Sequence, residues 1–135
     1  MKVLLSIKPQ FVEEIFAGKK RFEYRKAIFS KDVDSVVIYS TKPVGKIVGE
    51  FTIKRILNSK PEQLWALTSN YSGISKDFFD QYFEDRDSAY ALEIEAPRRY
   101  KKPINPQERI ESFVAPQSFM YVNDMDYLDL LATTI

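Results

Sequence analysis

The sequence predicts an α+β fold in which a small mixed β-barrel carries attached helices. Three observations support it. The chain contains five or six short runs with the apolar pattern of strands, a helical segment follows the first strand, and a helical insertion interrupts the strands in mid-chain. Strands and helices do not alternate regularly, which argues against a parallel doubly wound sheet.

The first strand and the first helix are predicted from adjoining segments. The apolar run at residues 3–7 is typical of a buried strand, and it ends at Pro9 because proline lacks an amide donor. A helix over residues 10–17 follows, since its apolar residues form one stripe, and Gly18 is placed to cap it.

The next segment alternates with a period of two, which predicts a strand. Phe22 and Tyr24 face one side, while Arg21, Glu23 and Arg25 share the other. We therefore expect the two aromatic residues to anchor this strand in the core.

Two further strands and the helical insertion come next. Residues 36–40 are strongly β-forming, and the run 46–57 is long enough that Gly49 is expected to mark a bulge or bend. Helices over residues 61–67 and 76–84 are predicted to form the insertion.

The last part of the barrel is predicted around a series of prolines. A strand over residues 89–95 alternates clearly, whereas 97–116 is expected to be mostly extended connection with a turn of helix near 107–111. Residues 117–122 can supply a final strand, and a terminal helix is predicted at about 124–132.

One domain is expected to account for residues 1–135. The chain has 135 residues, a usual size for one domain, and contains no internal repeat, low-complexity stretch or linker. The barrel core is placed at about residues 2–122.

Missing residue types exclude several classes of chemistry. The absence of cysteine excludes disulfides, and with them a disulfide-linked partner, as well as thiol nucleophiles and thiolate metal sites. The absence of histidine excludes serine–histidine triads, histidine bases and imidazole-bound zinc or haem. Carboxylates, lysine, tyrosine and hydroxyls remain, with or without an oxygen-ligated ion such as Mg²⁺. We expect no metal and no cofactor.

The apolar segments are too short for a membrane protein. No run approaches the roughly 20 residues that a spanning helix needs, and the N-terminal segment is too soon interrupted for a signal peptide. We therefore expect a cytoplasmic protein with no membrane partner.

Charge is unevenly distributed along the chain although the net charge is only +1. Residues 1–31 hold eight basic and three acidic side chains, whereas 61–97 hold two basic and eight acidic ones. The small net charge argues against nonspecific binding of long duplex nucleic acid, which needs a basic excess. A local basic face for a short single strand, a nucleotide or another anion remains open, and so does ordinary surface variation.

Four strongly polar side chains are predicted to meet where the first helix leads into the second strand: Lys8, Lys20, Glu23 and Arg25. Glu23 and Arg25 would lie on one strand face, about 7 Å apart. Such an array can bind an anionic or base-like ligand, or bring a lysine of lowered pKa to a carboxylate. A surface strand with salt bridges is the alternative.

Four motifs resemble those of the ASCH domain, a small β-barrel of the PUA-like superfamily. They are Ser6-Ile7-Lys8-Pro9, Gly18-x-Lys20-x-x-Glu23-x-Arg25, Val37-Ile38-Tyr39-Ser40 and Ile47-Val48-Gly49-Glu50-Phe51. The resemblance implies a cleft between the barrel and the first helix that binds RNA or a modified nucleoside. Its ligand-binding residues would be Lys8, Lys20, Glu23, Arg25, Tyr39 and Ser40.

The resemblance also implies two enzymatic alternatives. Some small ASCH-type proteins are amidohydrolases on acetylated cytidine that use a lysine, a threonine and a glutamate, and a ribonuclease activity is attributed to others. Lys20 matches the lysine, but Glu23 stands where the threonine is expected, so the sequence departs at the nucleophile. Hydrolysis would require Glu23 or Glu50 to activate a water and Lys20 to be neutral or to stabilise an oxyanion. Binding without rapid turnover is therefore favoured. The basic strip 98–102 is a further candidate contact for phosphates.

Overall fold

A computed structural model describes residues 1–110 and 112–122. They form an α+β fold built on one six-stranded sheet. The strands are β1 (Lys2–Ile7), β2 (Phe22–Arg25), β3 (Ser35–Ser40), β4 (Lys46–Ser59), β5 (Ala89–Ile104) and β6 (Phe119–Tyr121). The helices are α1 (Pro9–Phe16), α2 (Pro61–Thr68), α3 (Lys76–Tyr82) and α4 (Pro106–Arg109), with a single 3₁₀ turn at Ser69–Tyr71.

The sheet is mixed and curled, which confirms the predicted fold class. Its strand order is β2-β5-β4-β3-β1-β6, with β1 and β3 parallel and the other neighbours antiparallel. Gly49 lies at a register shift between β4 and both of its neighbours, as expected for a bend that curls the sheet. A Cβ on Gly49 would come 2.4 Å from the Arg98 carbonyl oxygen, so only glycine fits this close approach.

The two outermost strands of the sheet are joined by one side chain. Nη2 of Arg25, at the end of β2, donates to the Ser118 carbonyl oxygen at 3.0 Å and lies 3.1 Å from the Ser118 hydroxyl oxygen. Ser118 directly precedes β6. This contact closes the curled sheet toward a barrel and also borders the site described below.

Local signals place the helices close to their expected positions. Gly18 follows α1 with φ of +78°, which glycine adopts at low cost, and the Ser75 hydroxyl accepts the Phe78 amide at the start of α3. The expected terminal helix at 124–132 lies outside the described residues.

The main correction to the predicted fold concerns β5. Residues 97–104 continue this strand instead of forming an unpaired connection. Pro97 and Pro103 are tolerated because each lies where the register with β4 shifts, so the missing amide falls at an irregular part of the ladder. The expected helical turn is present as α4.

Candidate functional site

A cleft of about 250 Å³ opens between β1, β2 and the helices α1 and α3. It is lined by Ser6, Ile7, Lys8, Phe11, Lys20, Glu23, Tyr24, Arg25, Ile74, Phe78 and Tyr82. The four polar residues singled out in the sequence therefore share one cavity.

Lys20 is the most deeply buried charged residue of the cleft. Its side chain is 2% exposed, and its Nζ donates to the Ser72 carbonyl oxygen at 2.9 Å. The same Nζ lies 3.8 Å from Glu23 Oε1 and 4.9 Å from the Tyr24 ring centre. The chain reaches this position because α1 ends at Phe16, the backbone turns at Gly18, and the Lys20 amide still bonds back to the Glu14 carbonyl.

Burial lowers the pKa of Lys20 below its ordinary value of 10.5, because the charged amine loses water. The nearby Glu23 carboxylate opposes this shift, since it stabilises the protonated amine. The Lys20 amine is therefore in contact with one carboxylate and one carbonyl in a poorly hydrated site.

Gly73 lets the loop before α3 approach Lys20. This glycine has φ of +68°, and a Cβ built on it would lie 2.4 Å from the Lys20 Cβ. The adjacent Ser72 supplies the carbonyl that accepts the hydrogen bond from Lys20. The helical insertion therefore covers the Lys20 side chain.

Both oxygens of Glu23 face a cation. Oε1 is directed to Lys20, and Oε2 lies 3.5 Å from the Arg25 guanidinium. Glu23 thus stands between two cations and fixes their spacing, while its own side chain is nearly buried.

Tyr24 forms a neutral wall beside these charges. The Thr68 hydroxyl has one hydrogen and gives it to the Leu64 carbonyl, so the Tyr24 hydroxyl donates to Thr68 at 2.7 Å. Burial, together with the Glu23 charge, raises the pKa of Tyr24 to about 12. Tyr24 therefore stays protonated at neutral pH.

The other side of the cleft is aromatic. Phe11 and Phe78 meet edge to face with ring centres 5.3 Å apart, and Lys8 Nζ lies 5.4 Å from the Phe78 ring centre. Lys26 Nζ lies 4.7 Å from the Tyr82 ring centre. Lys20 Nζ lies 5.6 Å from the Phe11 ring centre, so charged groups and ring surfaces share the cleft. This combination suits a ligand that has both a flat apolar part and polar groups.

Two predicted ligand residues do not line this cleft. Tyr39 packs in the core against Phe113, with ring centres 5.5 Å apart. Ser40 is buried at the end of β3, in register with Ile7. Both residues lie on β3, a buried strand that pairs with β1 beside the cleft. Their side chains are nevertheless not among those that line the cleft.

Tyr24, Phe78 and Tyr82 also line the cleft, although the sequence pattern does not single them out as site residues. The alternation of the strand predicts Tyr24 in the core, where its ring does lie, yet the residue also borders the cleft. Phe78 and Tyr82 are four residues apart on α3 and therefore share a helix face. That spacing was the available signal.

Glu50 is engaged away from the cleft. Lys2 Nζ lies 3.2 Å from its Oε2, Tyr100 donates to the same oxygen at 2.7 Å, and Arg98 bonds Oε1 at 2.7 Å. The bonds from Tyr100 and Arg98 and the charge of Lys2 lower the pKa of Glu50, although burial opposes them. Glu50 does not line the cleft, so of the two carboxylates that hydrolysis could use there, the cleft contains only Glu23.

The basic strip 98–102 is partly committed to internal contacts. Arg98 pairs with Glu50, and Arg99 pairs with Glu13 while covering the Phe16 ring.

Within the described parts of the chain, no three acidic side chains converge in a way that could hold a metal ion. No described helix is long and apolar enough to cross a membrane.

Comparison with known proteins agrees with this architecture. The sequence model of the ASCH domain matches residues 5–98, which is more than half of the chain. The chain belongs to the ASCH domain family. The ASCH motif with Lys20, Glu23 and Arg25 lies inside the matched segment and lines the cleft.

One curated relative and one solved structure cover nearly the whole chain. The chain is 27% identical over 139 residues to an ASCH domain-containing ribonuclease of Zymomonas mobilis, covering 98% of this chain and 92% of that protein. A crystal structure of ASCH from Zymomonas mobilis superposes with a TM-score of 0.90 at 25% identity, covering 99% and 96% of the two chains.

A longer relative contains the same region. The chain is 28% identical over 121 residues to a protein of Ureaplasma parvum serovar 3 named large ribosomal subunit protein uL22, covering 89% of this chain. The match spans 39% of that relative's length.

Proposed function

We propose that the cleft binds a nucleotide of single-stranded RNA. The observation that carries the proposal is the buried group Lys20, Glu23 and Arg25 in a cleft that is also lined by aromatic rings. Single-stranded bases are recognised by stacking on rings together with hydrogen bonds to their exposed edges.

Each part of the cleft has a role in this proposal. The rings of Phe78 and Tyr82 contact the base, while Lys8, the exposed cation at the cleft entrance, contacts a phosphate. Glu23 and Lys20 present an acceptor and a donor to the base edge. Since Glu23 already faces two cations, we expect it to accept weakly and mainly to position them.

The size of the cavity limits the ligand. At about 250 Å³ it lies just below the roughly 300 Å³ at which pockets for drug-sized ligands begin. It therefore suits one base or nucleoside and leaves the rest of an RNA outside.

One of the named relatives supports a connection to RNA. The one that matches over nearly its whole length is called a ribonuclease, and that name describes that protein alone. Together with the cleft, it favours RNA over other anionic ligands.

RNA cleavage is the second candidate, favoured by the ribonuclease relative and by the lowered pKa of Lys20. In its neutral form Lys20 could take the proton from a ribose 2′-hydroxyl. The 2′-oxygen would then attack the phosphorus and the bond to the 5′-oxygen would break, leaving a 2′,3′-cyclic phosphate. The departing 5′-oxygen would take a proton from water to become a hydroxyl, and Lys20 would return its proton to solvent. Glu23 opposes this step because it keeps the proton on Lys20. We therefore favour binding over rapid turnover.

The binding test is a titration of the protein with short single-stranded RNAs and with nucleosides. We expect Lys20→Met and Glu23→Gln each to weaken binding about 5- to 150-fold, as loss of a charge-assisted hydrogen bond does. Lys60→Met, outside the cleft, is the matched control and should bind unchanged. Absence of any ligand tighter than about millimolar, or unchanged binding by both cleft variants, would contradict the proposal.

Incubation with single-stranded RNA, with and without Mg²⁺, and with acetylated cytidine tests catalysis. Turnover that disappears in Lys20→Met but persists in Lys60→Met would select the enzyme. Cleavage of RNA would identify a ribonuclease, whereas release of acetate would identify an amidohydrolase despite the missing threonine.

A further inference from the structure

A second, open groove lies on the other side of Lys20. It has a volume of about 790 Å³ and is bordered by α1, the start of β2, the middle of β5 and the 3₁₀ turn of the insertion. Lys20 lines both this groove and the cleft, so the two cavities share a wall.

Two hydrogen-bonded chain segments lie between the groove and the cleft. On the cleft side, Lys20 Nζ donates to the Ser72 carbonyl at 2.9 Å. On the groove side, the Arg21 amide donates to the Tyr71 carbonyl at 2.8 Å. Successive residues of each segment, Lys20 and Arg21 in one and Tyr71 and Ser72 in the other, therefore border the two cavities.

The Arg21 and Tyr71 side chains form a stacked pair in the groove. The guanidinium carbon of Arg21 lies 4.1 Å from the Tyr71 ring centre, and Tyr71 is 45% exposed. A ring held by a cation and a backbone bond, yet open to solvent, has the properties of a stacking platform for a base.

The charges around the groove are balanced. Arg21 and Lys54 face it together with Glu93 and Glu95, and Glu93 also pairs with Arg55. Attraction to phosphate is therefore weak here, and ring stacking is the main contribution that the groove can make to binding.

We propose that the groove takes the nucleotide adjacent to the one in the cleft, with its base on Tyr71. The inference rests on the proposed function and refines it. The substrate class becomes a single-stranded oligonucleotide of two or more residues, and a free nucleoside fills only half of the site.

The test compares binding of a nucleoside monophosphate and of a short single-stranded oligonucleotide. Tyr71→Ala should weaken oligonucleotide binding about 5- to 150-fold, the effect of losing one base–aromatic stack, and leave mononucleotide binding unchanged. Tyr71→Phe keeps the ring and should retain oligonucleotide binding. Leu67→Ala, at an exposed position on α2, is the matched control.

Arg21→Gln provides a second variant, and thermal unfolding checks that each variant is folded. Arg21→Gln should also weaken oligonucleotide binding and leave mononucleotide binding unchanged, because the Tyr71 ring loses its supporting cation. Equal affinity of the native protein for both ligands, or no selective loss in Tyr71→Ala and Arg21→Gln, would overturn the inference while the cleft proposal stands. If Lys20→Met leaves both affinities unchanged, the cleft proposal itself fails.

Discussion

Lys20 Nζ lies 3.8 Å from Glu23 Oε1 in a part of the fold where both side chains are almost completely buried. The pair is three residues apart, yet its environment is built by a distant segment, since Ser72 accepts from the amine. Its burial makes each partner dependent on the other, because an unpaired charge is costly away from water.

The two members of this pair should differ in their effect on stability. Glu23→Gln leaves Lys20 buried without a carboxylate and should lower the free energy of unfolding by about 3–5 kcal/mol. Lys20→Met leaves Glu23 with Arg25 as its partner and should cost only about 1 kcal/mol, since a hydrogen bond is lost but burial of a charge is relieved. Urea unfolding of both variants measures the difference. Equal losses would contradict the asymmetry.

Lys20 should also make stability depend on pH. Its pKa is lower in the folded protein than the ordinary 10.5, so between these values the unfolded chain binds more protons. The contribution of Lys20 to stability therefore rises with pH through this window and levels off above 10.5. The raised pKa of Tyr24 acts oppositely above about pH 10, because the unfolded chain then binds fewer protons.

The difference in unfolding free energy between native protein and Lys20→Met isolates this effect, since Tyr24 is present in both. We expect the difference to increase in favour of the native protein as the pH is raised toward 10.5. A difference independent of pH would contradict it.

Two glycines provide a matched test of the insertion. Gly73→Ala combines positive φ with a contact of 2.4 Å to Lys20, whereas Gly18→Ala has positive φ and no atom within 4 Å of the new Cβ. Both should lose about 1–2 kcal/mol from backbone strain. Only Gly73→Ala should displace Lys20 and weaken RNA binding. Equal RNA affinity of the two variants would show that the insertion does not position the lysine.

Arg25 should stabilise the curled sheet through its planar guanidinium. Arg25→Lys cannot contact Glu23 and Ser118 with the same geometry, so we expect a loss of about 1–2 kcal/mol. The control is Arg55→Lys, at a side chain that is 63% exposed and pairs with Glu93, where the expected loss is below about 0.5 kcal/mol. Chemical denaturation compares them, and equal stability would contradict a closing role for Arg25.

The fold was predictable where local signals agree. The alternation around Phe22, the cap at Gly18 and the bend at Gly49 each depend on a few neighbouring residues, and all three occur. The length of β5 was not predictable, because tolerance of Pro97 depends on a register shift against β4 that has no local signal.

The charged residues of the site were predictable from the sequence, but the segments that enclose and bury them were not. The spacing of Lys20, Glu23 and Arg25 was enough to bring them to one cavity. Their burial depends on Ser72 and Gly73, which are more than 45 residues away in the chain, and a local pattern cannot report such a contact. For the same reason Tyr39, on a motif of the right family, was assigned to the cleft although its ring packs in the core.

A crystal structure of the protein with a short single-stranded RNA tests the central claim most directly. We predict one base inside the cleft, against Phe78 and Tyr82, with its polar edge at Lys20 and Glu23. RNA bound only along the exposed side chains of Lys101 and Lys102, with the cleft empty, would contradict it.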